Sequence, residues 1–289
     1  MPYVALTIDL DRDYPVPVSG ALKAASYSPE CKPSFTCTIK GLKALSSMLE
    51  ETGIKATFFI EARTLQHIKA QEEALVSIIT RNEIGCHGLD HEDLAGKYTG
   101  ISISPPRQLA LIKKATEIIS KITRSKPTGF RAPYLSTTPN LGEILRTLNY
   151  KYDSSIYSES FKPPHPYFLG CKVYEIPLPL YLLGERKASL YTWTLHEGKR
   201  SIDEFKQILD VYLANDDGGL LVISTHTWHL AYRISSNLKL SPQQVQENVF
   251  LLYSLITYLE DKGSTLLPIK EYLKKIKQRL ENRSSQEDS

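Results

Sequence analysis

Two histidines lie four residues apart in the segment EIGCHGLDHEDL, residues 83–94. His87 and His91 follow a short apolar run, and Gly88 lies between them. Imidazole nitrogens are common ligands for divalent transition metals, but histidine pairs also occur at surfaces and in cores. The pair is therefore informative only if the rest of the chain supplies a further ligand, a base, an acid and a scaffold that brings them together.

Other polar residues follow predicted strands in the same way. They are Asp9 and Asp11 after the first strand, Arg131 after the fourth, Asp153 after the fifth and His226 after the seventh. Asp9 and Asp11 are two apart on an extended segment and so share one face. Each residue alone could be a cap or an ion-pair partner, but all of them together predict one site.

These residue types suit the hydrolysis of an amide. A divalent metal bound by two histidines and one carboxylate keeps open positions for water and substrate. Such a metal lowers the pKa of its water and polarises a carbonyl. A second carboxylate, kept ionised by an arginine, can accept the proton of the water. A further histidine can protonate the leaving nitrogen.

Strands and helices alternate along nearly the whole chain. Strands are predicted over 3–9, 55–61, 83–87, 128–133, 151–156, 172–179, 218–226 and 264–268, and helices over 39–53, 72–82, 104–123, 140–150, 201–215, 241–263 and 269–280. This alternation predicts an α/β fold with a parallel sheet wrapped by helices, closed or nearly closed into a barrel of about seven strands. In such barrels the site lies at the carboxyl ends of the strands. We expect one domain over 1–280 and a flexible tail over 281–289.

Composition excludes several classes of function. The net charge is +3, from 35 Lys+Arg against 32 Asp+Glu, which gives no nucleic-acid-binding surface. No apolar run reaches the roughly 20 residues of a membrane span. The first residues, MPYVALTIDLD, lack the features of a secretion signal, so we expect a cytoplasmic protein. Four cysteines without CxxC spacing are expected to be reduced thiols, and a homo-oligomer is left open.

Five ordered motifs resemble those of the polysaccharide deacetylases of the NodB-homology type, carbohydrate esterase family 4. They are TIDLD (7–11), HGLDH (87–91), RAPY (131–134), YDSS (152–155) and LVISTH (221–226). ATFFI (56–60) and YEIPL (174–178) resemble the second and sixth strands of that family. The resemblance covers most of residues 3–275, and five motifs in order are far more specific than one.

The resemblance implies a fold, a reaction and a role for each residue. The fold is an irregular, incomplete (β/α) barrel, the reaction removes acetyl groups from N-acetylated sugars, and the cofactor is one divalent metal, zinc before cobalt, nickel or manganese. By this resemblance Asp9 is the base, Asp11, His87 and His91 are the metal ligands, Arg131 orients the base, the backbone N–H of Tyr134 binds the oxyanion, Asp153 tunes the charge network and His226 is the acid.

Two departures from the common motifs bear on the substrate. Leu10 separates Asp9 from Asp11, and Gly88 replaces the usual Ser or Thr after the first histidine. Both resemble an often unsecreted subgroup of peptidoglycan-deacetylase-like and allantoinase-like proteins. We therefore expect an N-acetylated sugar or related polysaccharide as substrate, with a small or cyclic non-sugar amide as the alternative. A non-catalytic carbohydrate-binding barrel is a third hypothesis.

Three assignments have competitors within the sequence. Asp13 is an alternative carboxylate for the metal, and His229 is an alternative acid. The aromatic segment 155–185 is either a packed connection or a wall of the cleft; in the second case, Tyr157, Phe161, Tyr167 and Phe168 would lie near the metal.

Overall fold

The computed structural model describes residues 1–27, 32–169, 172–183 and 186–287. The strands are β1 (Tyr3–Leu10), β2 (Pro15–Val16), β3 (Ala25–Ser26), β4 (Thr57–Ile60), β5 (Glu83–Cys86), β6 (Gly129–Phe130), β7 (Tyr152–Asp153), β8 (Tyr157–Glu159), β9 (Tyr167–Phe168), β10 (Tyr174–Glu175), β11 (Leu178–Leu183), β12 (Arg186–Ser189), β13 (Leu220–His226), β14 (Tyr232–Arg233), β15 (Leu238–Lys239) and β16 (Thr265–Leu266). The helices are α1 (Thr36–Thr52), α2 (Ala62–Gln71), α3 (Glu73–Thr80), α4 (Pro105–Thr123), α5 (Leu141–Thr147), α6 (Trp193–His196), α7 (Ile202–Ala214), α8 (Pro242–Asp261) and α9 (Ile269–Glu287).

A curled parallel sheet forms the centre of the fold. Its strands follow the order β13-β1-β4-β5-β6-β7-β10, and every pairing along this path is parallel. Strand β9 adds to β10 in antiparallel orientation, and β16 pairs with β1 beside the path. All eight residues of β1 are buried, as expected for a parallel strand covered on both faces. The predicted set of about seven parallel strands is confirmed.

The barrel closes irregularly. Strands β8, β11 and β12 form a separate three-stranded sheet. The chain leaving β12 then reaches β13, where Tyr191 forms a single bridge to Ser224 and the N–H of Thr192 donates to Ser224 O at 2.9 Å. A short mixed sheet thus spans the gap between the two ends of the parallel sheet, and the prediction of an irregular, incomplete barrel is confirmed.

Several helix ends follow local sequence signals. Ser201 and Glu204 form a capping box at the start of α7, and Ser241 and Gln244 form one at α8. Helix α1 ends at Gly53, whose φ of 71° is the left-handed conformation typical of a helix terminus.

The sequence did not predict α2 or the hairpin of β2 and β3. Helix α2 starts directly after β4 without a side-chain cap, and only Ala62, Thr64, Leu65 and Ile68 are buried along it, so its periodic signal is weak. Helix α9 continues to Glu287, past the predicted end at residue 280. The tail over 281–289 remains a prediction, and residues 288–289 lie outside the described residues.

Cys37 and Cys86 are buried free thiols, as predicted, whereas Cys31 and Cys171 lie outside the described residues. Within the described part of the chain, no helix combines the length and apolar character needed to cross a membrane.

Helix α1 packs tightly against the turn that follows β13. A β-carbon added at Gly41 would lie 1.9 Å from the carbonyl oxygen of Thr227. The Thr38 hydroxyl donates to the carbonyl oxygen of Asp11 and lies 3.3 Å from the Thr227 hydroxyl. One face of α1 therefore supports the ends of both β1 and β13.

Replacing Gly41 with Ala is expected to destabilise the fold by about 1–3 kcal/mol, because backbone would have to shift to admit one methyl group. The free energy of unfolding in urea measures this effect. Ser47→Ala, at an exposed position of the same helix, is the matched control and should change stability by less than about 0.5 kcal/mol. Equal stability of the two variants would contradict the close packing of α1.

Candidate active site

The ends of four parallel strands bring the predicted residues together. Strands β1 and β13 are neighbours, and Asp9 is in register with His226. His87 follows β5, and Arg131 follows β6, which pairs with β5. The carboxyl ends of these strands meet at one rim, as the sequence predicted.

Asp11, His87 and His91 form a compact buried group. Each offers one ligand atom, and these atoms lie within 4.8 Å of one another. Nε2 of His91 lies 3.2 Å from Oδ2 of Asp11 without the geometry of a hydrogen bond. The two imidazole rings meet edge to face, with centroids 4.9 Å apart. Two nitrogens and one carboxylate are a set typical of a divalent metal site that keeps open positions.

The hydrogen bonding of the histidines fits a cation. Nδ1 of His87 lies 2.8 Å from the carbonyl oxygen of Arg131, so Nδ1 donates and Nε2 keeps its lone pair. Nε2 of His87 and both ring nitrogens of His91 are buried without a partner among the described residues. Burial lowers the pKa of His87 to about 4 and that of His91 well below its ordinary value, which keeps both neutral. Neutral imidazole is the form that binds a metal.

The backbone between the two histidines explains the unusual glycine. Gly88 and His91 both have positive φ, 80° and 59°. The carboxylate of Glu92 accepts hydrogen bonds from the N–H groups of Leu89 and Asp90, each at 3.0 Å, and so fixes the turn. A β-carbon at Gly88 would lie 2.8 Å from that carboxylate. Ser or Thr at position 88 would therefore be strained here.

Asp9 is held as a carboxylate by two donors. Nη1 of Arg131 donates to Oδ1 at 2.8 Å, and the hydroxyl of Tyr191 donates to Oδ2 at 2.8 Å. Burial by itself would raise the pKa of Asp9, but Arg131, two nearby imidazoles and Tyr191 lower it below its ordinary value. An ionised, oriented carboxylate is suited to accept a proton.

Arg131 is fully buried and is itself fixed at several atoms. Its Nε donates to Ser154 O at 3.0 Å, and Nη1 also donates to the Thr7 hydroxyl at 3.0 Å. The guanidinium lies 4.2 Å from the centroid of the Phe59 ring. This packing leaves the side chain one orientation, the one that contacts Asp9.

His226 lies between the two aspartates of β1. Its Nδ1 is 3.2 Å from Oδ2 of Asp11, and its Nε2 is 3.9 Å from Oδ2 of Asp9. Burial would lower the pKa of His226, but Asp11 and then Asp9 raise it above its ordinary value. The end of β1 therefore supplies the acidic neighbours of His226.

Asp153 instead forms part of a buried pair of acids behind the site. Its Oδ1 accepts from Ser154 N at 2.9 Å and from the Ser155 hydroxyl at 2.6 Å, and Glu175 is its register partner on β10. Burial raises the pKa of Asp153 to about 7 and that of Glu175 as well. Arg131 donates to the carbonyl oxygen and to the hydroxyl of Ser154, and the backbone N–H of Ser154 donates to Asp153.

Asp13, the alternative carboxylate for the metal, and His229, the alternative acid, have other hydrogen-bond partners. The carboxylate of Asp13 accepts from the N–H groups of Cys37 and Thr38, at 3.0 and 2.7 Å, and so caps helix α1. His229 pairs with Glu197, Nε2 to Oε1 at 2.9 Å. Asp13 is therefore engaged away from the histidine pair, and His229 is engaged away from Asp9.

A cavity of about 280 Å³ opens onto these groups. Asp9, His87, His91, His226 and His229 line it together with six aromatic side chains, Tyr14, Tyr134, Tyr157, Tyr191, Trp193 and Trp228. Tyr134 has a φ of 56°, and its ring contacts that of His91 at 4.5 Å between centroids.

The aromatic residues of the cavity were only partly predicted. Of the described residues in segment 155–185, only Tyr157 lines the cavity, whereas Phe161, Tyr167 and Phe168 lie elsewhere with more than 40% of their surface exposed. Tyr191, which directly contacts Asp9, was not predicted as a site residue from the sequence. The sequence feature that could have indicated it is the run SLYTW, which follows strand β12, and that strand was not predicted either.

Comparison with known proteins agrees with this geometry. Residues 40–152 match the polysaccharide deacetylase family model. The resemblance to that family is confirmed. The match includes the histidine pair and Arg131. The chain is also 25% identical over 159 residues to the peptidoglycan deacetylase-like protein FGM2 of Gibberella zeae, and 25% identical over 123 residues to the peptidoglycan deacetylase of Helicobacter pylori. These alignments cover 53% and 43% of this chain, but only 43% and 39% of the two relatives.

Several solved structures share the fold of this chain. A protein described as a polysaccharide deacetylase from Mycobacterium smegmatis superposes with a TM-score of 0.64 at 17% identity, over 96% of this chain and 90% of that one. An allantoinase superposes with a TM-score of 0.63 at 14% identity, over 93% and 88%. A carbohydrate esterase family 4 pseudoenzyme from Bacillus anthracis superposes with a TM-score of 0.54 at 15% identity, over 94% and 65%.

Replacing His87 or His91 with Ala is expected to abolish stoichiometric binding of a divalent metal, because each removes one of three ligands. Emission spectroscopy of protein dialysed against zinc measures the metal content. His165→Ala, an exposed histidine paired with Asp217, is the matched control and should retain the wild-type content. One metal per chain in the double replacement of His87 and His91 would show that the ion binds elsewhere.

Proposed function

We propose that this protein is a metal-dependent hydrolase of non-peptide C–N bonds, and that its substrate is an N-acetylated sugar or a related polysaccharide. One observation carries the proposal: unpartnered imidazole nitrogens face Asp11 beside an ionised Asp9. A metal held there by Asp11, His87 and His91, with zinc the first expectation, would activate water and polarise the amide carbonyl. The family match and the two peptidoglycan deacetylase relatives support the choice of substrate.

The residues around the metal group supply the proton transfers. Asp9 accepts a proton from the attacking water, and Arg131 and Tyr191 hold the carboxylate in one orientation while it does so. His226, on the neighbouring strand end, donates a proton to the leaving nitrogen. The backbone N–H of Tyr134 is assigned to the developing oxyanion, and Asp153 is assigned to the charge network behind Arg131.

A small or cyclic non-sugar amide is the second candidate. Ligand cavities of drug-sized molecules usually measure about 300–1,000 Å³, so a cavity of about 280 Å³ admits little more than one ring. A terminal sugar ring and a cyclic amide both satisfy that limit, and both could stack on the aromatic walls.

A binding barrel without turnover is the least supported hypothesis. One structural neighbour is described as a pseudoenzyme, so the fold alone does not imply catalysis. In this chain, however, His87 and His91, the oriented carboxylate of Asp9, and His226 on the adjacent strand all line one cavity. Binding alone does not require all of these groups.

Hydrolysis of a panel of substrates tests the proposal. The zinc-loaded protein is incubated with N-acetylglucosamine, its β-1,4-linked di- and tetrasaccharides, hydantoin and allantoin, and release of acetate or ring opening is measured. Asp9→Asn should retain the metal and lower kcat about 10²–10⁴-fold, the range for loss of a general base. Asp217→Asn, which changes an exposed acid, is the control and should keep full activity. Near-normal turnover by Asp9→Asn would disprove its role as base.

A further inference from the structure

A second histidine lines the cavity beside the proposed acid. The indole of Trp228 lies between them, with its ring centroid 5.4 Å from that of His226 and 4.7 Å from that of His229. The rings of Trp228 and His229 are stacked at an interplanar angle of 13°. A molecule bound in the cavity would therefore be able to contact both histidines, because His226, Trp228 and His229 all line it.

Glu197 holds one side of the His229 ring. Its Oε1 lies 2.9 Å from Nε2 of His229 and accepts from the N–H of Ile234 at 2.7 Å, while Oε2 accepts from the N–H of Ser235 at 2.9 Å. Three donors on one carboxylate stabilise its ionised form. An ionised carboxylate only accepts, so Nε2 of His229 must carry the proton.

His229 lines the cavity, and its remaining ring nitrogen is Nδ1. Nδ1 has no hydrogen-bond partner among the described residues. Burial outweighs Glu197 and lowers the pKa of His229, so the ring is neutral. A neutral imidazole protonated on Nε2 presents a lone pair on Nδ1.

We propose that His229, oriented by Glu197, is a specificity-determining residue that accepts a hydrogen bond from the substrate. This proposal rests on the proposed function and narrows its substrate class. The substrate is a compact amide with an N–H or O–H donor that meets His229 while its scissile carbonyl lies at Asp11, His87 and His91. The aromatic rings between the two ends favour a ring-shaped body that can stack on them.

Both candidate classes contain such donors. A pyranose presents hydroxyl groups, and a cyclic ureide presents a second N–H. An amide whose only polar group is the scissile one has no donor for Nδ1, and it would leave this acceptor without a hydrogen-bond partner. Such a compound should therefore bind more weakly than its donor-bearing counterpart.

Calorimetric binding to the zinc-loaded protein tests the proposal without requiring turnover. The probes are N-acetylglucosamine and hydantoin, each compared with the derivatives in which one O–H or N–H is methylated. Methylation of the O–H or N–H that meets His229 should weaken the binding of a probe about three- to tenfold, the effect of one neutral hydrogen bond. Methylation of the other donors should have a smaller effect. In His229→Phe, which keeps a ring stacked on Trp228, the ratio of the two dissociation constants, methylated derivative over parent probe, should fall to about one. His229→Asn, which keeps a polar group near the position of Nδ1, is the matched control and should retain part of the preference.

The protonation of the His229 ring provides a second readout. Nitrogen-15 correlation spectra of the wild-type protein should show His229 protonated on Nε2 only, and the Nδ1 resonance should shift when a donor-bearing probe is added. A ring protonated on Nδ1, or a donor preference unchanged in His229→Phe, would overturn the proposal. Donor-dependent binding without hydrolysis of any panel substrate would instead reject the proposed function and leave the role of His229 intact.

Discussion

The contact between Arg131 and Asp9 is the interaction on which the site depends. Both side chains are buried, and removal of one partner from a buried ion pair typically costs about 3–5 kcal/mol because the other charge is left unpaired. The backbone of Arg131 also contributes to the site, since its carbonyl oxygen accepts a hydrogen bond from Nδ1 of His87. One residue therefore orients the proposed base through its side chain and fixes the tautomer of a proposed metal ligand through its backbone.

The surrounding structure keeps that residue in place. The strand order puts β6 beside both β5 and β7, so Arg131 lies next to His87 on one side and Ser154 on the other. Helix α1 supports the other side of the same rim, through its contacts with Asp11 and Thr227. The short sheet of β8, β11 and β12 delivers Tyr191 to Asp9 at the point where the barrel closes. Each of these elements limits the freedom of one functional side chain.

The sequence was sufficient where the chemistry followed a long strand or a fixed motif. Strands β1 and β13 are long and apolar, so Asp9, Asp11 and His226 could be placed at their ends. The sequence was insufficient where contacts depend on short elements with little periodicity. Tyr191 follows a strand of four residues, and the tautomer of His229 depends on Glu197, 32 positions earlier in the chain. The choice between Asp11 and Asp13 also required the structure, because only the position of α1 shows that Asp13 is a helix cap.

The proposed site, in which Asp11, His87 and His91 hold one divalent metal next to Asp9, can be tested by anomalous diffraction from crystals grown with zinc. We expect a single strong peak about 2.0–2.2 Å from a carboxylate oxygen of Asp11 and from one ring nitrogen of each histidine, Nε2 in the case of His87. Full occupancy of zinc at another position, with these three side chains unliganded, would contradict it.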